Sequence, residues 1–104
     1  MVLKGDTMDK FKIIYHILKT LEKALDYSEF DYSVLSAESL GISEERFESL
    51  LIMLQKEGYI ENLNIYSFMA DKGRANIKKP VEPKITLLGL EYLQENSLMK
   101  KLRT

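Results

Sequence analysis

With 104 residues, 45% of them hydrophobic and 30% charged, the chain has the composition of an ordinary globular domain. By size scaling it can bury roughly two thirds of its unfolded surface. A net charge of −1 and a sequence pI near 5.9 remove any bulk attraction for nucleic acid, so a polyanion would have to meet a local patch. The absence of cysteine, the single histidine (His16) and the lack of a membrane-length apolar run argue against disulfides, thiolate metal sites and a bilayer span.

The opening residues Met1 to Asp6 lack the pattern of a signal peptide, which makes the cytoplasm the expected location. Residues 1–7 are expected to be a weakly ordered lead-in. A first helix begins near Asp6 or Thr7, either of which can cap it. Phe11, Ile14, Leu18, Leu21 and Leu25 then recur at helical spacing, and Ile13, Ile17 and Ala24 widen that stripe. Lys10, Lys12, Lys19 and Lys23 take the remaining face, where a solvated edge is expected.

The run from Asp26 to Tyr32 breaks the period with turn formers and three aromatics, expected to close over the helix ends. Ser33 to Leu40 reads as a second helix with Val34, Leu35 and Leu40 facing inward. Gly41 stops it, because glycine accepts the left-handed conformation of a helix end. Ser43 caps a third helix from Glu44 to about Glu57, with Glu44 and Glu45 in its first turn and Phe47, Leu50, Leu51 and Leu54 as its stripe.

Gly58 ends that helix, and a strand is expected over about Tyr59 to Phe68. From Met69 to Pro83 turn formers and bases dominate, a long loop closed by a return strand around Lys84 to Leu87. Thr86 can cap a last helix that packs back through Leu90, Leu93 and Tyr92, with residues 101–104 expected to fray.

This order describes one domain of the α+β class, mainly helical. It is a winged helix, with a three-helix helix-turn-helix core, a β-hairpin wing and a C-terminal helix. The strings Ala37-Glu38-Ser39-Leu40-Gly41-Ile42-Ser43-Glu44-Glu45 with Gly58-Tyr59-Ile60, and Ile85-Thr86-Leu87-Leu88-Gly89-Leu90-Glu91-Tyr92-Leu93, resemble the YjcQ family. These are small winged-helix proteins of Gram-positive bacteria and their prophages, and the resemblance covers about Met8 to Lys101. It implies the fold and a prophage setting, but no activity.

Two stretches bear on function. From Ser43 to Gly58 four acids face two bases, a balance of −2, which disfavours phosphates along the third helix. Its groove-facing candidates are Arg46, Ser49 and Lys56. From Asp71 to Lys84 five bases face two acids, a balance of +3, and Lys72, Arg74, Lys78 and Lys79 are the candidates for phosphate contact. A solvated loop that shields an edge strand would use the same residues.

Ile52 and Met53 lie off the third helix's main stripe. Together with Leu98, Met99 and Leu102 they are candidates for a protein interface, including a homodimer. Lone His16 is expected to be a partly exposed helix residue, and no spacing points to a metal, a cofactor or a catalysed reaction. The expectation is a DNA-binding or transcription-related protein with a basic wing. The alternative is a protein-interaction module on the same scaffold.

Overall fold

The computed structural model describes residues 10–67 and 75–103, with backbone alone over 97–103. The described part of α1 is Lys10–Ala24. A 3-10 turn, Tyr32–Val34, precedes α2 (Ala37–Leu40) and α3 (Glu44–Lys56). Four short strands follow, β1 (Ile60–Glu61), β2 (Ile65–Ser67), β3 (Ala75–Ile77) and β4 (Lys84–Ile85), and then α4 (Leu87–Arg103). The chain is thus an α+β protein, mainly helical. The expected caps at Asp6 and Thr7 and the lead-in 1–7 lie outside the described residues, whereas residues 101–103 continue α4.

The core gathers Ile13, Ile17, Leu18 and Leu21 of α1 with Phe47, Leu50, Leu51, Ile52 and Leu54 of α3, and with Ile60, Ile77, Ile85 and Leu93. Burying such a side chain stabilises the fold by about 1.5–3 kcal/mol. α1 packs against α4 and β4, while α3 packs against α2, β1 and β3. Phe11 and Leu25, read as ends of the α1 stripe, are exposed instead. Phe11 lies only about 20° around the helix from buried Leu18 at 3.6 residues per turn, so its exposure goes with its place in the first described turn, and Leu25 follows the last helical residue. His16 is exposed, as expected.

The segment read as one helix from Ser33 to Leu40 divides in two. Ser36 and Ser39 form a reciprocal capping box, each hydroxyl accepting the other's backbone N–H at 3.1 Å, so the α-helix starts only at Ala37. Val34 is left exposed on the preceding 3-10 turn rather than facing inward. Asp31 caps that turn by accepting from the Ser33 hydroxyl at 2.6 Å and from its N–H at 3.0 Å. These two bonds hold the Asp31 carboxyl below its ordinary pKa, the hydroxyl contributing most.

A lowered folded pKa adds stability above the ordinary carboxylate range, near pH 4, and loses it as pH falls further. Asp31→Asn should therefore flatten the acid limb of a stability-versus-pH curve below about pH 4. Thermal melts across that range would show it, and an unchanged slope would contradict the assignment.

Both helix-ending glycines adopt the left-handed conformation, Gly41 at φ 73° and Gly58 at φ 88°. Each sits in the same paired-bond stop. Ile42 N–H donates to Ala37 O and Gly41 N–H to Glu38 O after α2, while Tyr59 N–H donates to Leu54 O and Gly58 N–H to Gln55 O after α3. Ser43 then caps α3, accepting from Arg46 N–H at 3.1 Å. The tight turn between α2 and α3 follows from these local bonds.

The strands depart most from expectation. No continuous strand spans Tyr59 to Phe68: Asn62 takes φ 80° and bends the chain between β1 and β2. β1 pairs antiparallel with β4, Ile60 opposite Ile85 and Glu61 opposite Lys84. β2 pairs antiparallel with β3, Ile65 opposite Ile77 and Tyr66 opposite Asn76. The stretch read as a loop from Met69 to Pro83 therefore holds a strand of its own. The return strand closes on β1, not on the far end of the hairpin.

Candidate nucleic-acid interface

The exposed face of α3 carries Arg46, Ser49, Met53 and Lys56, all accessible and within an arc of about 80° at 3.6 residues per turn. Both bases of the helix fall on this face. Glu44 and Glu48 project from the other side of the helix, while Glu45 and the C-cap Glu57 border the face. The acids at Glu44 and Glu45 also stand in the first turn, where they complement the helix dipole. Spreading the −2 of this stretch evenly around the helix would hide that segregation.

The β2–β3 pair stands beside α3, and one side chain ties the two together. Leu63 N–H donates to Gln55 Oε1 at 2.8 Å, and Gln55 Nε2 donates to Leu63 O at 3.2 Å. The Gln55 amide thus satisfies both backbone groups of a buried residue in the bend before β2. Asn62 Nδ2 donates to Glu82 O at 2.9 Å, fixing the bend to the segment after β3. Lys78 N–H donates to Asn64 O at 2.7 Å and extends the strand pairing by one rung.

These bonds set where the pair's basic end lies. Lys78 and Lys79 are exposed immediately after β3, and Lys78 lines an open depression of about 510 Å³ with Asn64, Ile65 and Tyr66. Lysines beside an aromatic ring form a surface on which phosphates and bases can settle. Lys72 and Arg74 lie outside the described residues. Lys84, grouped with them by sequence, is placed across the β1–β4 register from Glu61.

The two residues read as off-stripe on α3 separate. Ile52 is 8% exposed and belongs to the core, because α3 is covered on more than one side. It contributes packing and no surface. Met53 is 52% exposed at the centre of the α3 face. The side chains of Leu98, Met99 and Leu102 lie outside the described residues.

Among the described residues no group of three or more His, Asp or Glu could hold a metal ion, and no helix is long and apolar enough to cross a membrane. Gln55 and Asn62, which position the hairpin, were not singled out by sequence. An asparagine in a polar gap between two short apolar runs was the available signal.

The family model described as YjcQ protein matches residues 15–104. The chain belongs to the YjcQ family. That match takes in α2, the glycine turn, α3, the strands and α4, so the whole surface described above lies within the YjcQ region. Comparison with curated proteins and with solved structures gave no match.

Proposed function

We propose that the chain is a cytoplasmic, non-enzymatic winged-helix protein that binds double-stranded DNA. In this reading α2, the Gly41 turn and α3 act as the helix-turn-helix, and the β2–β3 pair is the wing. The observation that carries it is the segregation on α3: Arg46, Ser49 and Lys56 share one exposed face while Glu44 and Glu48 do not. That face would enter the major groove, Arg46 and Ser49 near base edges and Lys56 toward a phosphate. Lys78 and Lys79, with Lys72 and Arg74 from the segment between β2 and β3, would hold the adjoining backbone.

Fluorescence anisotropy with a labelled duplex of mixed sequence, titrated at low and high salt, tests this. Binding should appear at low salt and weaken steeply as salt rises. The double variant Lys78→Glu with Lys79→Glu should weaken binding similarly on every sequence and lower the salt slope by about 2. An absence of binding at low salt sinks the reading.

One observation favours a second reading, a protein-interaction module on the same scaffold. Met53 is half exposed in the middle of the α3 face, and Glu45 borders it. An apolar centre rimmed by charge is also how a protein contact is built. Met53→Glu separates the two: a groove contact loses affinity for DNA, whereas a protein contact loses only its partner.

A further inference from the structure

The run from Asp26 to Tyr32 contains three acids, three aromatics and no base, and the DNA reading uses none of it. Sequence alone suggests a lid over the helix ends. The structure instead leaves Tyr27 63% exposed and makes this run one wall of a cleft of about 390 Å³. Phe30 meets Tyr32 edge-on, with centroids 5.2 Å apart at 81°, and Tyr27 stands 6.4 Å from Phe30. Tyr32 is seated against the core, and the Asp31 cap holds the backbone around it. The aromatic wall is therefore built on a fixed base.

The opposite wall is charged. Glu82 and Lys84 line it, and Glu29 lines the aromatic side, so acids outnumber bases around the cleft. Asn62 holds the backbone of Glu82 in place. Burial, and then the Glu82 carboxylate, push the Tyr32 phenol above its ordinary pKa, so its hydroxyl stays neutral beside that acid. Ala24, the last residue of α1, also lines the cleft, and a helix C-terminus favours cations. Lys84 is the one opposing charge on the cleft lining, against Glu29 and Glu82.

We propose that this cleft receives a cationic side chain, an arginine guanidinium above all, from a basic segment of a partner protein. A guanidinium stacks flat on tyrosine and phenylalanine rings while its N–H groups reach carboxylates, a pairing that answers both walls at once. A nucleic acid would set phosphates against Glu29 and Glu82. A metal ion would need clustered acidic ligands, and the described residues hold no such group. The site is separate from the α3 face and stands whether or not that face binds DNA.

An NMR titration of the full chain tests it, with a capped Gly-Arg-Gly-Arg-Gly peptide and its citrulline counterpart as probes. The arginine peptide should shift the amides of Tyr27, Phe30, Tyr32 and Glu82 saturably, and the neutral citrulline peptide should not. Tyr27→Leu and Glu82→Gln change exposed side chains, and each should raise the dissociation constant by about fivefold. Equal shifts from citrulline, shifts confined to other residues, or unchanged affinity in both variants would overturn the proposal. So would a single-stranded oligonucleotide that moves these amides where the arginine peptide does not.

Discussion

Gln55→Leu should lower the unfolding free energy by about 2 kcal/mol, although it exchanges a polar side chain for an apolar one of similar size. The loss arises at Leu63, whose N–H and C=O both depend on the Gln55 amide. Leu63 is buried, so neither group regains a full water partner. Gln55→Glu distinguishes this from a packing effect. A glutamate can still accept from Leu63 N–H but sets a negative oxygen against Leu63 O, so it should also destabilise. Chemical denaturation of both variants gives the comparison. If both equal the wild type, the amide clamp contributes nothing. The same variants bear on the proposed function: if the chain binds DNA as proposed, loosening the bend should weaken that binding with no basic residue removed.

Gly89→Ala is the second large effect, again about 2 kcal/mol of destabilisation. Inside an exposed helix this change normally stabilises by about 1 kcal/mol. Here an ideal Cβ would lie 2.5 Å from Tyr59 O and 2.6 Å from Ile85 Cγ1. The first of these is backbone of the chain entering β1, so it cannot swing aside. Its position is further held by Thr86, whose N–H donates to Tyr59 O at 3.1 Å and whose hydroxyl donates to Gly58 O. For a domain of this size the loss amounts to a melting-point drop of roughly 10 °C. Gly41→Ala is the comparison: nothing lies near its added carbon, and only the positive φ opposes it, at about 1–2 kcal/mol. A melt of Gly89→Ala no lower than wild type would contradict the close packing of α4 on Tyr59 and β4.

The helical half of the molecule was legible because its signals are local. Ser43, Gly41 and Gly58 each act within a few residues, and the Phe47, Leu50, Leu51, Leu54 stripe repeats at helical spacing. The division of the second helix was also written locally, in Ser36 and Ser39, but Val34 and Leu35 masked it by continuing an apolar run. The strands were harder for a physical reason. Ile60 pairs with Ile85 and Ile65 with Ile77, partners well separated in sequence, and strands of two or three residues leave almost no alternation to detect.

The candidate site shows the same division. Arg46, Ser49 and Lys56 could be chosen from the sequence, since helical spacing alone puts them on one face. Net charge concealed that Glu44 and Glu48 lie away from that face, with Glu45 and Glu57 at its borders. Gln55 and Asn62 were invisible because their partners, Leu63 and Glu82, are backbone groups of another segment. Ile52 was misread because a single stripe does not describe a helix packed against α2, β1 and β3 together.

The central claim is that the α3 face and the basic end of β3 act together on DNA. The most direct measurement is a map of amide shifts in the labelled full chain as a mixed-sequence duplex is added at low salt. Arg46, Ser49, Met53, Lys56, Lys78 and Lys79 should move together and saturate at one concentration, while Tyr27 and Phe30 stay still. Shifts that leave the α3 face untouched, or no shifts at all, would contradict it.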